Sequence, residues 1–235
     1  EALDVDSVIN VQPGGRWGVL LERDDTEEIF RRVLLDLEMR PLGVEMQNRI
    51  VLGPDVSYFN TSAWSPDGTT LAYVRQDVFD ENINAYGGEI FAIQPGDDAP
   101  TRWTRLFDHY GAVRINGHAP ADLSWSPDGT HIAFWVTEML GSTPDGRLGN
   151  AVIHILNVAT GEVVVYCGFA TDDHTPNTPR LVWSPDSTAI LFSAYPLDDA
   201  NRASIYRADI ATRGIGLLYN LPYSAFPISM DWRPR

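Results

Sequence analysis

Trp64-Ser65-Pro66-Asp67-Gly68 is the stretch that decides the fold, because the chain repeats it. It returns as Trp125-Ser126-Pro127-Asp128-Gly129 and, with a serine in place of the glycine, as Trp183-Ser184-Pro185-Asp186-Ser187. Degenerate copies stand at Gln12-Pro13-Gly14-Gly15 and at Trp232-Arg233-Pro234-Arg235, so the repeated prolines fall at positions 13, 66, 127, 185 and 234. A period of roughly 50 to 60 residues indicates stacked supersecondary units.

Each pentad predicts a tight turn between two strands. Proline presets φ for the first corner, aspartate suits the second, and glycine takes the left-handed position that closes the loop. The aspartates of a repeated turn are expected to bond to their own backbone and not to act as catalytic acids. The predicted turn residues are Trp64, Pro66, Asp67, Gly68, Trp125, Pro127, Asp128, Gly129, Trp183, Pro185 and Asp186.

Two further apolar runs follow each pentad, which gives four short antiparallel strands per repeat. This all-β pattern is typical of a β-propeller blade. The predicted blades cover residues 5–56, 57–117, 118–176 and 177–222, and an extra strand covers residues 227–235. The last strand of the second blade is expected at residues 103–107. Two alternatives stay open: the chain is part of a larger ring, or residues 228–232 close onto the first blade.

The pentad, followed by an apolar strand and a segment such as Ile205-Tyr206-Arg207-Ala208-Asp209-Ile210, resembles the repeat of TolB-type β-propellers. Similar blades form the propellers of prolyl oligopeptidase-type enzymes and of the tricorn protease. The resemblance covers nearly the whole chain and is best over residues 64–219. The first repeat departs from it, because it lacks the tryptophan and the aspartate. The resemblance implies six blades and an extracytoplasmic location, in the periplasm or at the cell surface.

Composition narrows the classes of partner. The 235 residues carry a formal net charge of −15, which argues against nucleic acid and anionic membranes, since both require basic surfaces. No apolar run approaches 18 residues, so no membrane insertion is predicted. Cys167 is the single cysteine, so an internal disulfide is excluded. Its apolar neighbours predict a buried side chain.

The connections sort onto two ends of the blades. The turn end carries the short pentad turns, and the loop end carries longer connections at residues 76–88, 108–120, 137–150, 168–179, 195–202 and 221–227. These longer loops combine aromatic and acidic residues, which suits a protein interface. The alternative is that the aromatics only cover the blades and the acids are only solvated. The candidate partner-binding residues are Phe79, Asp80, Tyr86, His109, Tyr110, Asp172, Asp173, His174, Tyr195 and Tyr223.

Catalytic and metal-binding motifs are missing from the sequence. Gly-x-Ser-x-Gly, His-Glu-x-x-His, Cys-x-x-Cys and phosphate-binding glycine loops do not occur. His154 lies in an apolar strand and is expected to be a hydrogen-bonded core or interface residue. We therefore expect no catalytic residue, cofactor or metal, and leave a small ligand open.

The hypothesis from the sequence is a non-enzymatic, TolB-like β-propeller that binds a partner protein through its loop end. The first alternative is the propeller domain of a prolyl oligopeptidase-type serine peptidase without its catalytic domain. The second is a structural subunit of a larger membrane or surface assembly.

Overall fold

Four antiparallel sheets follow one another along the chain. The computed structural model describes residues 5–24, 29–38, 49–54, 61–80, 85–116, 123–140, 148–172, 179–223 and 232. The first sheet consists of β1 (Val5–Val11), β2 (Trp17–Asp24), β3 (Ile29–Asp36) and β4 (Arg49–Pro54). The second consists of β5 (Ser62–Trp64), β6 (Leu71–Asp80), β7 (Ala85–Ile93) and β8 (Thr101–Arg102).

A short helix separates the second sheet from the third. This helix is α1 (Leu106–Tyr110). The third sheet consists of β9 (Val113–Ile115), β10 (Ser124–Trp125), β11 (His131–Met139), β12 (Leu148–Asn157) and β13 (Val163–Thr171). The fourth consists of β14 (Val182–Trp183), β15 (Ala189–Ala194), β16 (Ser204–Asp209) and β17 (Ile215–Asn220). The predicted division into four antiparallel sheets is confirmed. Of the extra strand predicted at residues 227–235, only Trp232 lies within the described residues.

The expectation of a strand at residues 103–107 was wrong, because the backbone of this segment donates hydrogen bonds to a buried carboxylate. Glu89 of β7 is fully buried and accepts hydrogen bonds from Thr104 Oγ1 (2.6 Å), from Leu106 N–H (2.9 Å) and from Phe107 N–H (2.9 Å). Arg102 adds an ion pair at 2.8 Å. The two backbone donors belong to the first turn of α1, which a carboxylate stabilises. The chain therefore coils where a strand was expected.

The innermost strand of the third sheet is made of two pieces. β9 pairs with the loop-end half of β11, and β10 pairs with the half of β11 near its pentad turn. Asn116 ends the first piece with φ 61° and exchanges hydrogen bonds with the backbone of Trp135. The third sheet thus begins at Val113, ahead of the boundary predicted at residue 118.

The three pentads form the same turn. In each, the aspartate Oδ1 accepts hydrogen bonds from the serine hydroxyl and from the backbone N–H two residues later. The fifth residue is left-handed in all three turns: φ is 71° at Gly68, 72° at Gly129 and 59° at Ser187. The aspartates therefore bond within their own turns, and each pentad lies between two antiparallel strands.

Three tryptophan side chains make equivalent hydrogen bonds to a neighbouring sheet. In these three, the indole N–H donates to the backbone carbonyl of the residue that precedes the tryptophan of the previous pentad, whereas the indole N–H of Trp64 makes no such bond. The pairs are Trp125 with Ala63 (3.2 Å), Trp183 with Ser124 (2.8 Å) and Trp232 with Val182 (3.2 Å). The innermost strands β1, β5, β10 and β14 also contact one another in that order. The sheets are therefore arranged side by side around their inner strands.

The core lies between the sheets. One apolar cluster joins the first sheet to the second, another the second to the third, and a third the third to the fourth. Trp135, at the centre of the last cluster, is 1% exposed and packs edge-on against Phe192 at 5.6 Å. The second and third sheets each pack against a neighbour on both faces. Successive side chains of a strand point to opposite faces, so apolar residues along one strand can serve both cores.

Candidate functional site

Three candidate partner-binding residues lie on strands and not on a loop. β6 and β7 stay paired out to Phe79 opposite Tyr86 and Asp80 opposite Ala85. The loop expected at residues 76–88 is therefore shorter than the sequence suggested, because the hairpin ladder continues past a register shift between Gln76 and Val78.

Tyr110 and His109 lie on α1, which leads into β9 at the loop end. Tyr110 is 47% exposed, and its hydroxyl lies 3.2 Å from Nε2 of His154. The two rings meet edge-on with centroids 5.4 Å apart. Nδ1 of His154 lies 3.0 Å from the carbonyl of Val152, so both ring nitrogens have partners. His154 is 3% exposed, and it is the hydrogen-bonded histidine that the sequence predicted.

The remaining candidates form two further groups, and Asp173 and His174 lie outside the described residues. Asp172 is exposed at the end of β13, where its neighbour Thr171 donates a hydrogen bond to the carbonyl of Tyr195 at 2.7 Å. Tyr223 is 65% exposed, and the guanidinium of Arg202 lies 5.0 Å from its ring centroid. The candidates are thus spread over the loop end in separate groups.

Exposed apolar side chains are concentrated at this end of the sheets. Of the ten large hydrophobic residues that are exposed among the described ones, six lie at or beyond the loop ends of strands. These six are Phe30, Tyr110, Leu140, Leu197, Tyr219 and Tyr223. Isolated exposed hydrophobic residues are ordinary, but a concentration at one end indicates a contact surface.

A cleft that the sequence analysis missed opens at the turn end, between the second and third sheets. Its volume is about 620 Å³. The pentad turns of both sheets form its walls, and the β7–β8 turn forms a third side. Trp103 and Trp125 are half-buried in its lining, with centroids 6.0 Å apart and an interplanar angle of 75°. The cleft has the size of a small-ligand site.

Carboxylates surround this cleft. Asp67, Asp97 and Asp128 line it, and no lysine, arginine or histidine among the described residues does. The hydrogen bond from Ser65, together with those from Thr69, holds the pKa of Asp67 below its usual value. The pKa of Asp128 is also lowered: partial burial acts in the opposite direction, but hydrogen bonds from Ser126 and Thr130 outweigh it. Both side chains are therefore ionised at neutral pH.

Sequence reasoning missed this cleft because it assigned the pentad aspartates to their turns alone. The assignment is right for Oδ1, which takes the turn hydrogen bonds. The missing information was the position of Trp103 and Asp97, which come from a different connection. The length of the β7–β8 turn, residues 94–100, was the available signal.

Two other expectations from the sequence can be compared with the described residues. Cys167 is exposed, so the prediction of a buried thiol was wrong. It lies on the outermost strand of its sheet, where the pairing of β13 with β12 shifts register. Within the described ranges, no three His, Cys, Asp or Glu side chains come together as a metal-binding group, and no helix has the length and apolar character that crossing a bilayer requires.

Solved structures similar to this chain contain β-propellers. Puromycin hydrolase gives a TM-score of 0.52 at 16% identity, over 93% of this chain and 30% of that one. The β-propeller domain of the Trilobed protease from Pyrococcus furiosus, described as having an open velcro topology, gives 0.50 at 12% identity, over 93% and 58%. TolB from Acinetobacter baumannii gives 0.36 at 14% identity, over 93% and 55%.

These similarities establish the fold and no more. The chain has the fold of a β-propeller domain, and it spans about a third of the length of puromycin hydrolase. No family model matches the sequence, and no curated protein is similar to it in sequence. Membership of the TolB-type family therefore stays a prediction from the pentad repeats.

Proposed function

We propose that this chain is a non-enzymatic β-propeller domain that binds a partner protein through its loop end. The observation that carries the proposal is the concentration of exposed apolar side chains there. A location outside the cytoplasm belongs to the proposal and rests on the resemblance of the pentad repeats to TolB-type propellers.

Two groups at the loop end have the character of interface anchors. Tyr223 is the most exposed of the large hydrophobic residues described, and it is stacked with Arg202. Tyr110 is held in place by His154 while nearly half of its surface faces solvent. Tyrosine and arginine are enriched among the residues that dominate binding energy, and preorganised rings lose little entropy on binding. The arrangement therefore supports a protein partner.

A capture experiment with matched variants tests the proposal. The protein is immobilised and exposed to an extract of its native organism, and bound proteins are quantified. Tyr110→Ser with Tyr223→Ser removes two exposed rings at the loop end. Leu217→Ser with Leu218→Ser removes two similarly exposed side chains from the middle of β17, away from the loop end. We expect the first pair to reduce capture about tenfold or more, since each hot-spot residue is worth roughly 1–2 kcal/mol.

The opposite pattern would contradict the proposal. If the β17 variant lost the captured protein and the loop-end variant kept it, the contact surface would lie on the flank of the fourth sheet. Thermal unfolding of both variants provides the folding control. A longer native reading frame that contains Gly-x-Ser-x-Gly would replace the proposal with the peptidase alternative.

A further inference from the structure

We infer that the turn-end cleft binds a basic side chain, arginine above all, presented by a peptide or protein partner. The cleft lies at the opposite end of the sheets from the surface proposed above, so this inference does not depend on that proposal. It rests on two features of the lining: an uncompensated set of carboxylates and a pair of half-buried indoles.

No lysine, arginine or histidine among the described residues lines the cleft; His131, whose electrostatic effect also lowers the pKa of Asp128, lies outside the lining. In both pentad turns the hydrogen bonds from the serine and the threonine fall on Oδ1, and both aspartates are exposed, so their carboxylates are accessible to a ligand. Asp97 adds a third carboxylate from the β7–β8 turn and is positioned by the backbone N–H of Gln94 at 2.9 Å. Like charges gathered around a cleft favour a ligand of the opposite charge.

The indoles favour a cation with a flat or apolar body. Trp125 is fixed by the hydrogen bond from its N–H to the carbonyl of Ala63, so this ring offers a ligand its aromatic carbon surface and not its N–H. Trp103 stands nearly perpendicular to it at 6.0 Å. Cations bind over tryptophan faces more strongly than over other rings, and more strongly again when water is displaced.

Arginine uses both features at once. Its planar guanidinium stacks on an aromatic face and pairs with a carboxylate through two parallel hydrogen bonds. A neutral sugar would also stack on the indoles, but it would leave the three carboxylates uncompensated. Charge complementarity therefore favours the basic peptide over the sugar, and the sugar becomes an outcome of the test.

Two short peptides that differ only in charge provide the probe. Acetyl-Gly-Arg-Gly-amide is titrated into ¹⁵N-labelled protein, and acetyl-Gly-citrulline-Gly-amide is its neutral isostere. The signals observed are the indole N–H resonances of Trp103 and Trp125, assigned from the spectra of Trp103→Phe and Trp125→Phe. We expect the arginine peptide to shift both resonances, with an affinity about tenfold higher than that of the citrulline peptide and weaker in 500 mM than in 20 mM NaCl.

The chain supplies a matched control for the carboxylates. Asp67→Asn with Asp128→Asn removes two charges but keeps an Oδ1 that can accept the turn hydrogen bonds. Asp186→Asn makes the same change in the equivalent turn of the fourth sheet, which does not line the cleft. We expect the double variant to bind the arginine peptide about tenfold more weakly, because each solvent-screened ion pair that is lost weakens binding by a factor of about three. We expect Asp186→Asn to bind the peptide with the affinity of the unchanged protein.

Several results would overturn the inference. Equal shifts with arginine and citrulline would remove the role of charge, and no shift with either would remove the site. A response to chitotriose or maltotriose in the absence of one to the arginine peptide would assign the cleft to carbohydrate. Equal weakening by Asp186→Asn would show an effect of net charge alone. If the double variant fails to fold, the comparison of the two peptides on the unchanged protein decides.

Discussion

Acidification should destabilise this protein through His154 before its turn carboxylates titrate. Burial lowers the pKa of His154 from 6.5 to about 4, and the bond to the carbonyl of Val152 offsets only part of this effect. With Nδ1–H donated to that carbonyl, Nε2 accepts the hydroxyl hydrogen of Tyr110. Protonation would place a donor where the acceptor is needed, and a charge in the apolar space beside Phe134.

The sign follows from proton counting. An unfolded histidine binds a proton as the pH falls below about 6.5, whereas the folded one does so only near pH 4. Between these values the unfolded state holds more protons, so stability is complete above pH 6.5 and is lost as the pH falls towards 4. The shift corresponds to about 3 kcal/mol, with a steepest slope of about 1.4 kcal/mol per pH unit.

Urea unfolding at pH 7.5, 6.5, 5.5 and 4.5 measures this contribution. We expect His154→Gln to be less stable than the unchanged protein at pH 7.5 but to show a flatter pH dependence. His109→Gln, at an exposed position of α1, is the matched control and should keep the original dependence. Hydrogen bonds from the turn serines and threonines lower the pKa of Asp67 and of Asp186, so their loss of stabilisation belongs to the range below about pH 4.

Parallel stability curves for the unchanged protein and His154→Gln between pH 7.5 and 4.5 would refute this reasoning. An independent check is the NMR titration of the His154 ring in the folded protein. A midpoint near 6.5 would show that the imidazole is solvated and that the bond to Tyr110 does not shield it.

Three further changes test the packing of the sheets, each by urea unfolding at pH 7.5. Trp183→Phe removes the indole hydrogen bond to Ser124 and should lower the free energy of unfolding by about 1–2 kcal/mol. Trp103→Phe, in the open cleft, should lower it by less. Glu89→Gln should lower the free energy of unfolding by about 3 kcal/mol. The buried carboxylate accepts hydrogen bonds from four donors, and the amide NH₂ that replaces one of its oxygens would face donors it cannot bond. Gly129→Ala should cost only about 1 kcal/mol, because an added Cβ meets nothing closer than 4.0 Å and the cost is that of a left-handed backbone.

The turns could be predicted because their chemistry is local. A serine, an aspartate and the backbone between them form the corner without help from the rest of the chain. The first corner shows the same principle with other residues. Gln12 Oε1 accepts the N–H of Trp17, as the serine Oγ of each pentad accepts the N–H five residues later, and Gly15 donates to the carbonyl of Gln12. The departure seen in the sequence is a substitution of one acceptor for another.

The cleft and α1 could not be predicted because their chemistry is long-range. The cleft requires Asp67, Trp103 and Asp128 to meet, and only the packing of two sheets brings them together. α1 forms because the carboxylate of Glu89, well before it in sequence, accepts its first backbone donors. Local propensity contains no information about either contact, whereas hydrophobic alternation was sufficient for the strands.

The indole bonds also bear on how the sheets continue. Trp232 donates to Val182 on the innermost strand of the fourth sheet, as Trp183 does to Ser124 on that of the third. The innermost position of the first sheet is already taken by β1, which pairs with β2. A segment completing the first sheet would have to add to the other edge, at β4. The indole of Trp232 makes the same bond to the fourth sheet as the indole of Trp183 makes to the third. Tyr219 on β17 is 59% exposed, whereas Tyr166, paired with the equivalent β12 position, is 2% exposed because the fourth sheet packs against it.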